Sequence, residues 1–157
     1  MLLPQARRTL LALATTCLLA GPALALDLIT PAEAARDRAA EAAQPASPVF
    51  RAKAFTPGAP LIEVRQPGRL EGIKAPFPIQ LGFKGSDGAE LDLKSFRVLY
   101  GFLKLDITAR LLEKARLTAD GLVLDDAAIP SGSHRLRIQL KDSKGREGEL
   151  DVVLKVL

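Results

Sequence analysis

Hydrophobic and polar residues alternate in short runs along the chain from residue 59 to its end. The clearest runs place a large apolar side chain at every second position: Ile62 and Val64; Phe77, Ile79, Leu81 and Phe83; Phe96, Val98, Tyr100 and Phe102; Leu136, Ile138 and Leu140; Leu150, Val152, Leu154 and Val156. Alternation with a period of two is typical of a β-strand with one buried face. Two more short runs flank Asp120 and Gly121. Because turn residues separate all of these runs, we predict one all-β domain over residues 59–157, an antiparallel sandwich of about seven strands.

The stretch from Asp106 to Ala115 fits two periodicities. Ile107 and Leu111 share one face at helical spacing, and Asp106 or Thr108 could cap such a helix. Ile107, Ala109 and Leu111 also alternate with polar positions, as they would in an edge strand. We favour a strand that enters an irregular crossover, and the helix remains the alternative.

Residues 26–58 have a different composition from the region that follows. Thr30, Pro31 and Glu33 match a helix-capping box with proline at the first helical position. The alanines that follow favour helix, but large apolar side chains are almost absent, so such a helix has little to bury. Residues 44–60 contain four prolines and read as linker. We predict an Ala/Pro-rich tether with a short helix or a partly ordered spacer; the alternative is a helix that binds a partner.

The first 25 residues have the pattern of a secretory signal peptide. Arg7 and Arg8 precede an apolar run that is too short to span a bilayer, and an A-x-A site ends at Ala25. We predict Sec-type export across a bacterial inner membrane, cleavage after Ala25, and a periplasmic or secreted protein. An uncleaved membrane anchor is the alternative. Cys17 lacks the residues of a lipoprotein signal around it, so the mature chain is expected to contain no cysteine, disulfide or thiolate metal site.

The charge balance argues against nucleic acid as a partner. The chain has 22 Lys and Arg against 18 Asp and Glu, a net charge of +4. Without Arg7 and Arg8 the mature chain carries 20 basic residues against 18 acidic ones, or +2. A charge this small and evenly spread is typical of an ordinary solvated surface. We also expect no integral membrane span after the signal peptide is removed.

The closing sequence IPSGSHRLRIQLKDSKGREGELDVVLKV resembles the last two strands of bacterial immunoglobulin-like and fibronectin-III-like modules. It has a corner at 130–132, a strand from His134 to Lys141, a turn at 142–145 and a final strand. PLIEVRQP and APFPIQLGF are similar to the first two strands of such modules. The resemblance covers 59–157 and implies a single immunoglobulin-like antiparallel β-sandwich. It says almost nothing about function, because this fold carries many unrelated activities.

No group of residues has the pattern of a catalytic or metal site. His134 is the single histidine, so we expect it to be structural or on the surface. Copper-binding periplasmic sandwiches resemble this topology, but they use an N-terminal histidine with further histidines or methionines, whereas the predicted mature chain begins at Leu26 without methionine. Asp125 and Asp126 are better explained as turn residues than as a calcium site. We therefore predict a protein that is not an enzyme and that has no cofactor or metal.

The least ordinary segment is RVLYGFLKLDITARL. We favour a core strand with a local ion pair between Asp106 and Arg110. The alternative is an interaction surface formed by Tyr100, Phe102, Asp106 and Arg110, and this is where we expect a site if the chain has one. We predict a non-enzymatic exported module that binds another envelope protein. The alternatives are an accessory subunit that packs on its partner through the tether, and a domain that binds a soluble peptide or glycan. The sequence leaves the partner and the oligomeric state open.

Overall fold

A computed structural model describes residues 26–43 and 56–157 of the chain. Within these ranges there are ten strands and two helices. In chain order they are β1 (Leu26–Asp27), α1 (Pro31–Ala43), β2 (Leu61–Gln66), β3 (Glu71–Ile73), β4 (Phe77–Lys84), β5 (Leu91–Tyr100), β6 (Leu105–Asp106), α2 (Thr108–Leu112), β7 (Arg116–Thr118), β8 (Gly121–Ala128), β9 (Gly132–Asp142) and β10 (Glu147–Val156). The predicted signal peptide and most of the predicted linker lie outside the described residues.

The strands form two five-stranded sheets. In the first sheet β2, β4 and β8 are neighbours, and both β7 and β1 pair with the other edge of β8. The second sheet has the order β3-β10-β9-β5-β6. In the letters used for immunoglobulin domains, the first sheet is A-B-E-D and the second contains G-F-C, with short strands added at its edges. This strand order confirms the predicted all-β, immunoglobulin-like sandwich.

The inner faces of the two sheets carry the residues that alternate in the sequence. Phe77, Ile79, Leu81 and Phe83 of β4 are all buried, as are Leu136, Ile138 and Leu140 of β9. Across the core, the rings of Phe83 and Phe96 lie 5.7 Å apart. Val64 and Leu150 are only partly buried but pack against this core. Phe102 departs from the pattern, because β5 ends at Tyr100 and Phe102 is half-buried in the turn that follows. The period-two pattern therefore predicted the core faces of the long strands correctly.

The hairpin between β9 and β10 closes through its turn residues. The Asp142 carboxylate accepts the backbone N–H groups of Lys144 and Arg146, each at 2.9 Å. Gly145 supplies the positive φ of 74° that the turn requires. The Arg146 guanidinium joins this turn to the loop after β4, since it donates to Asp142 at 2.7 Å and to Asp87 at 2.8 Å. Two loops at one end of the sandwich are thereby held together.

The prediction of a strand between Asp106 and Ala115 is wrong. Only Leu105–Asp106 pairs as β6, and the chain then forms the short helix α2. Ile107 and Leu111 are 1% and 3% exposed while Ala109 between them is exposed, a burial pattern that a helical turn produces and a strand does not. The Asp106 carboxylate accepts the Thr108 N–H at 2.9 Å, and the Thr108 hydroxyl accepts the Val98 N–H at 2.8 Å. The helix therefore covers part of the free edge of β5.

Candidate functional site

Residues 26–43, which we call the N-terminal arm, pack against the sandwich. Strand β1 pairs in parallel with β8, with Leu26 opposite Ala127 and Asp27 opposite Ala128. The Leu28 N–H then donates to the Ala128 carbonyl at 3.0 Å. Leu28 and Ile29 are 1% and 0% exposed and belong to the core of the sandwich. The arm is therefore anchored by two apolar side chains that precede its helix.

The predicted capping box at the start of α1 is confirmed. The Thr30 N–H donates to Glu33 Oε2 at 2.8 Å, and the Glu33 N–H donates to the Thr30 hydroxyl at 3.2 Å. Among its residues with described side chains, α1 buries only Ala34 and Asp37, as expected of a helix with few large apolar residues.

The division of the chain into a tether over 26–58 and a domain over 59–157 stays a prediction, to which the structure adds this packing of the arm.

Arg110 of α2 holds the arm in place from the side of the sandwich. Its guanidinium forms two hydrogen bonds of 2.8 Å to the two carboxylate oxygens of Glu33 and one of 3.0 Å to the Leu28 carbonyl. The hydrogen bonds from Arg110 are the main reason that the pKa of Glu33 is lowered to about 2. Arg110 therefore pairs with Glu33, which is distant in sequence, and not with Asp106 as the local ion pair would require. Asp106 Oδ2 instead lies 3.7 Å from Arg97 Nε.

The middle of α1 lies against the turn after β5. Asp37 is buried, with 8% of its surface exposed. Its carboxylate accepts the Leu103 N–H at 3.0 Å. It also lies where a side chain on Gly101 would have to be, and Gly101 has a positive φ of 69°. Further along the helix, Glu41 pairs with Arg135 at 3.0 Å. Three acidic residues of α1 thus contact the sandwich, each through a different element.

Tyr100 and His134 form a buried polar pair beside the arm. They are 2% and 2% exposed, and the Tyr100 hydroxyl lies 3.1 Å from His134 Nδ1. His134 Nε2 lies 2.8 Å from the Pro130 carbonyl, which only accepts, so Nε2 carries the proton and Nδ1 accepts from Tyr100. Burial raises the pKa of Tyr100 to about 12 and lowers the pKa of His134 below its ordinary value. Both ring nitrogens are occupied, which fits a structural histidine.

The four residues of the predicted interaction surface do not share one surface. Tyr100 points into the core, Phe102 is half-buried, Asp106 is exposed beside Arg97, and Arg110 holds the arm. What this stretch and the residue after it do expose is three leucines, which we call the leucine segment: Leu103 (56% exposed), Leu105 (39%) and Leu112 (37%). The alternation pattern does not indicate them, because their exposure depends on the turn after β5 and on α2. Whether this part of the chain binds a partner stays a prediction, and the leucine segment was not part of that prediction.

Other kinds of site have little support among residues 26–43 and 56–157. Those ranges contain no cluster of three or more His, Cys, Asp or Glu side chains placed to hold a metal. Neither helix described by the structure is long and apolar enough to cross a membrane. The cavity between the sheets, lined by apolar residues such as Val64, Leu122 and Leu136, measures about 30 Å³. Pockets for small molecules are commonly of the order of 300–1,000 Å³, so this cavity does not support the soluble-ligand alternative.

Comparison with known proteins adds little beyond the fold. No protein-family model and no curated protein sequence matches the chain. The chain is similar to CopC from Methylosinus trichosporium OB3b, with 14% identity and a TM-score of 0.40, covering 61% of this chain and 93% of that one. It is also similar to the fibronectin(III)-like modules of Clostridium thermocellum CbhA, with 17% identity and a TM-score of 0.39, covering 62% of this chain and 46% of that one. The class of the protein, an immunoglobulin-like β-sandwich, rests on the strand order of its own two sheets.

Between pH 7 and pH 5 we expect the free energy of unfolding to fall because of His134. The buried ring has a lowered pKa, so the unfolded chain takes up the proton first, from about pH 6.5 downwards, and unfolding becomes easier. Urea unfolding at the two pH values measures the effect. His134→Gln should remove most of the pH dependence, since His134 is the single histidine and carboxylates such as Glu33 titrate lower. If the free energy of unfolding falls by the same amount between pH 7 and pH 5 in wild type and in His134→Gln, His134 is not the cause.

Proposed function

We propose that the chain is an exported, non-enzymatic immunoglobulin-like module that binds another protein of the cell envelope. The observation that carries this proposal is the leucine segment. Of the large hydrophobic residues that the described ranges expose, three lie within ten positions of one another, at Leu103, Leu105 and Leu112. Large apolar side chains left in water cost free energy, and a partner protein that covers them would remove that cost.

The position of these leucines also suits binding. Leu105 lies on β6, which forms the edge of the second sheet and is only two residues long. Leu103 lies in the turn between β5 and β6, beside the positive φ of Lys104. Loops and short edge strands of a rigid sandwich are common places for recognition, because the scaffold fixes their position. A partner can reach this part of the sheet without any rearrangement of the core.

The envelope as the place of action follows from the signal-peptide pattern of residues 1–25. The near-neutral mature chain favours a protein partner over nucleic acid. The accessory-subunit alternative assigns the binding to residues 26–58. The arm already uses Leu28 and Ile29 to pack on its own sandwich, so we favour the leucine segment as the primary contact.

Replacing Leu103 and Leu105 by aspartate should abolish capture of the envelope partner. Both side chains are exposed, so the double substitution should change the free energy of unfolding by only about 0.5 kcal/mol per site. At a protein interface, a buried and unpaired carboxylate lowers affinity by about tenfold or more. The measurement is a periplasmic cross-linking pull-down with the tagged chain, read by mass spectrometry.

Val153→Asp is the matched control, since Val153 is 42% exposed and lies on β10 in the same sheet. It should leave the recovered partner unchanged. If the Leu103/Leu105 double variant recovers the same protein at the same yield, the leucine segment is not the interface. If neither the wild type nor the control recovers a specific envelope protein, the proposed function itself fails.

A further inference from the structure

We call the surface that holds the N-terminal arm the arm seat; it consists of the β8 edge at Ala127–Ala128, the core positions around Leu28 and Ile29, the Arg110 side chain and the Leu103 N–H. The arm seat has the features of a peptide-binding groove. One side is the edge of β8 at Ala127–Ala128, which binds an extended segment in parallel through backbone hydrogen bonds. Core positions beyond this edge receive two adjacent apolar side chains, now Leu28 and Ile29. Arg110 and the Leu103 N–H lie beside the helix that follows and bind its carboxylates. Extended binding at a sheet edge with side-chain pockets is a common mode of peptide recognition.

Arg110 recognises two parts of the arm together. One guanidinium nitrogen contacts both the Leu28 carbonyl and Glu33 Oε2, at 3.0 and 2.8 Å. The other nitrogen contacts Glu33 Oε1 at 2.8 Å. Because the fork is rigid, it fits only a chain that changes from extended to helical within the few residues between that carbonyl and that carboxylate. This geometry is a selective feature and not merely a favourable charge.

Among the described residues, few contacts other than the Asp37 hydrogen bond add to the two apolar anchors in holding the arm. Strand β1 is two residues long, and the described side chains of α1 bury only Ala34 and Asp37. The ion pairs that Glu33 and Glu41 form with the sandwich are partly open to solvent. Partly exposed pairs contribute little free energy. Most of the affinity between the arm and its seat therefore comes from the two apolar anchors, and another segment with the same anchors can compete for the seat.

We propose that this seat is a binding site for a partner protein and that the arm occupies it in the absence of that partner. The partner segment is extended, carries two adjacent apolar side chains of leucine or isoleucine size, and continues into a helix with a carboxylate in its first turn. The seat adjoins the leucine segment through the Leu103 N–H but does not include its exposed side chains. The inference therefore does not depend on the proposed function.

A labelled peptide with the sequence of residues 26–43 tests whether the seat accepts a segment in trans. The key variant of the full chain is Asp27→Cys/Ala128→Cys, because these two positions are partners in the strand register and a disulfide there locks the arm. Cys17, the one native cysteine, lies in the predicted signal peptide. Fluorescence anisotropy should show that the reduced variant binds the peptide like wild type. The oxidised variant should bind at least about tenfold more weakly, because its arm cannot leave.

Two further variants separate specific recognition from nonspecific adhesion. Glu33→Gln in the protein weakens its own arm and should tighten binding of the peptide by up to about fivefold. The same substitution in the peptide should weaken binding by a similar factor. A second peptide that keeps residues 28–31, Glu33 and Asp37, with alanine elsewhere, should bind like the first.

Equal binding of the peptide to the oxidised and reduced proteins would overturn the proposal, as would failure of Glu33→Gln protein to bind the peptide at all. The Asp27→Cys/Ala128→Cys variant also tests the competing occupant, the arm of a second copy of this chain. In that case the oxidised protein runs as a covalent dimer on a non-reducing gel, which likewise overturns a partner-protein site. A covalent monomer is the outcome that the proposal requires.

Discussion

Ile29→Ala should destabilise the whole sandwich by about 2–5 kcal/mol, as large-to-small substitutions in cores do. Ile29 is 0% exposed and belongs to the same core cluster as the strands of both sheets. Truncating this side chain leaves a cavity in the core, and the neighbouring two-residue strand β1 can move only slightly to fill it. For a domain of this size, the change corresponds to a loss of about 10 °C in Tm. Differential scanning calorimetry and urea unfolding measure it, with one cooperative transition expected before and after the substitution.

Val153→Ala is the control, because Val153 is 42% exposed and its truncation should change stability by less than about 0.5 kcal/mol. Ile29→Val should fall between the two, at about 0.5–1.5 kcal/mol. If Ile29→Ala leaves the unfolding transition unchanged, the arm does not share the core of the sandwich in solution. The predicted division into a tether and a separate domain would then describe the protein better.

Gly101→Ala should be the most damaging of the single-methyl additions that touch the arm, at about 2–5 kcal/mol. A non-glycine residue in the left-handed region costs about 1–2 kcal/mol, and Gly101 has a φ of 69°. In addition, the new methyl group would occupy the position of the Asp37 carboxylate. That carboxylate would have to release the Leu103 N–H, and a buried donor without a partner costs about 1–3 kcal/mol more.

Gly145→Ala separates these two effects. Gly145 has a similar φ of 74°, but a methyl group there would meet nothing within 4 Å. Gly145→Ala should therefore cost only the backbone strain, about 1–2 kcal/mol. Chemical denaturation of both variants gives the difference, which measures the packing of α1 against the turn after β5. Equal costs for the two variants would mean that this packing contributes nothing to stability.

The outward face of the second sheet carries paired charges on β9 and β10. Arg137 of β9 donates to both carboxylate oxygens of Asp151 on β10, at 2.8 Å each, and also lies 3.3 Å from Glu149. Directly opposite pairs of unlike charge stabilise neighbouring strands modestly. On the described strands β9 and β10, these unlike charges therefore compensate one another within the sheet.

The pattern of the sequence predicted the long strands well because a strand with one buried face must alternate. Phe77 through Phe83 and Leu136 through Leu140 are buried at the expected positions. The capping box at Thr30 and Glu33 and the turn at Asp142 were also predictable, since each is formed by residues close in sequence. Strands β1, β3 and β6 were not predictable, because a run of two or three residues carries no periodicity.

The candidate site is less accessible to sequence reasoning because its contacts join distant parts of the chain. The sequence singles out Arg110, but its partner Glu33 lies 77 residues away and Asp106 is the nearer carboxylate in the sequence. Tyr100 belongs to the predicted interaction surface, although its position in the alternating run of β5 already assigns it to the inner face. Its burial agrees with that alternation, and its hydrogen-bond partner His134 becomes evident only in the folded chain.

By itself, the sequence determined the fold class, the inner faces of the long strands, the cap of α1 and the closing turn. These follow from local rules, namely which residues alternate, which cap helices and which accept a positive φ. Only the tertiary structure decided that Thr108–Leu112 is helical, that Leu28 and Ile29 enter the core, and that Arg110 binds Glu33. Each of these depends on which elements become neighbours, and burial against a distant surface then outweighs the weak local preference of a short segment.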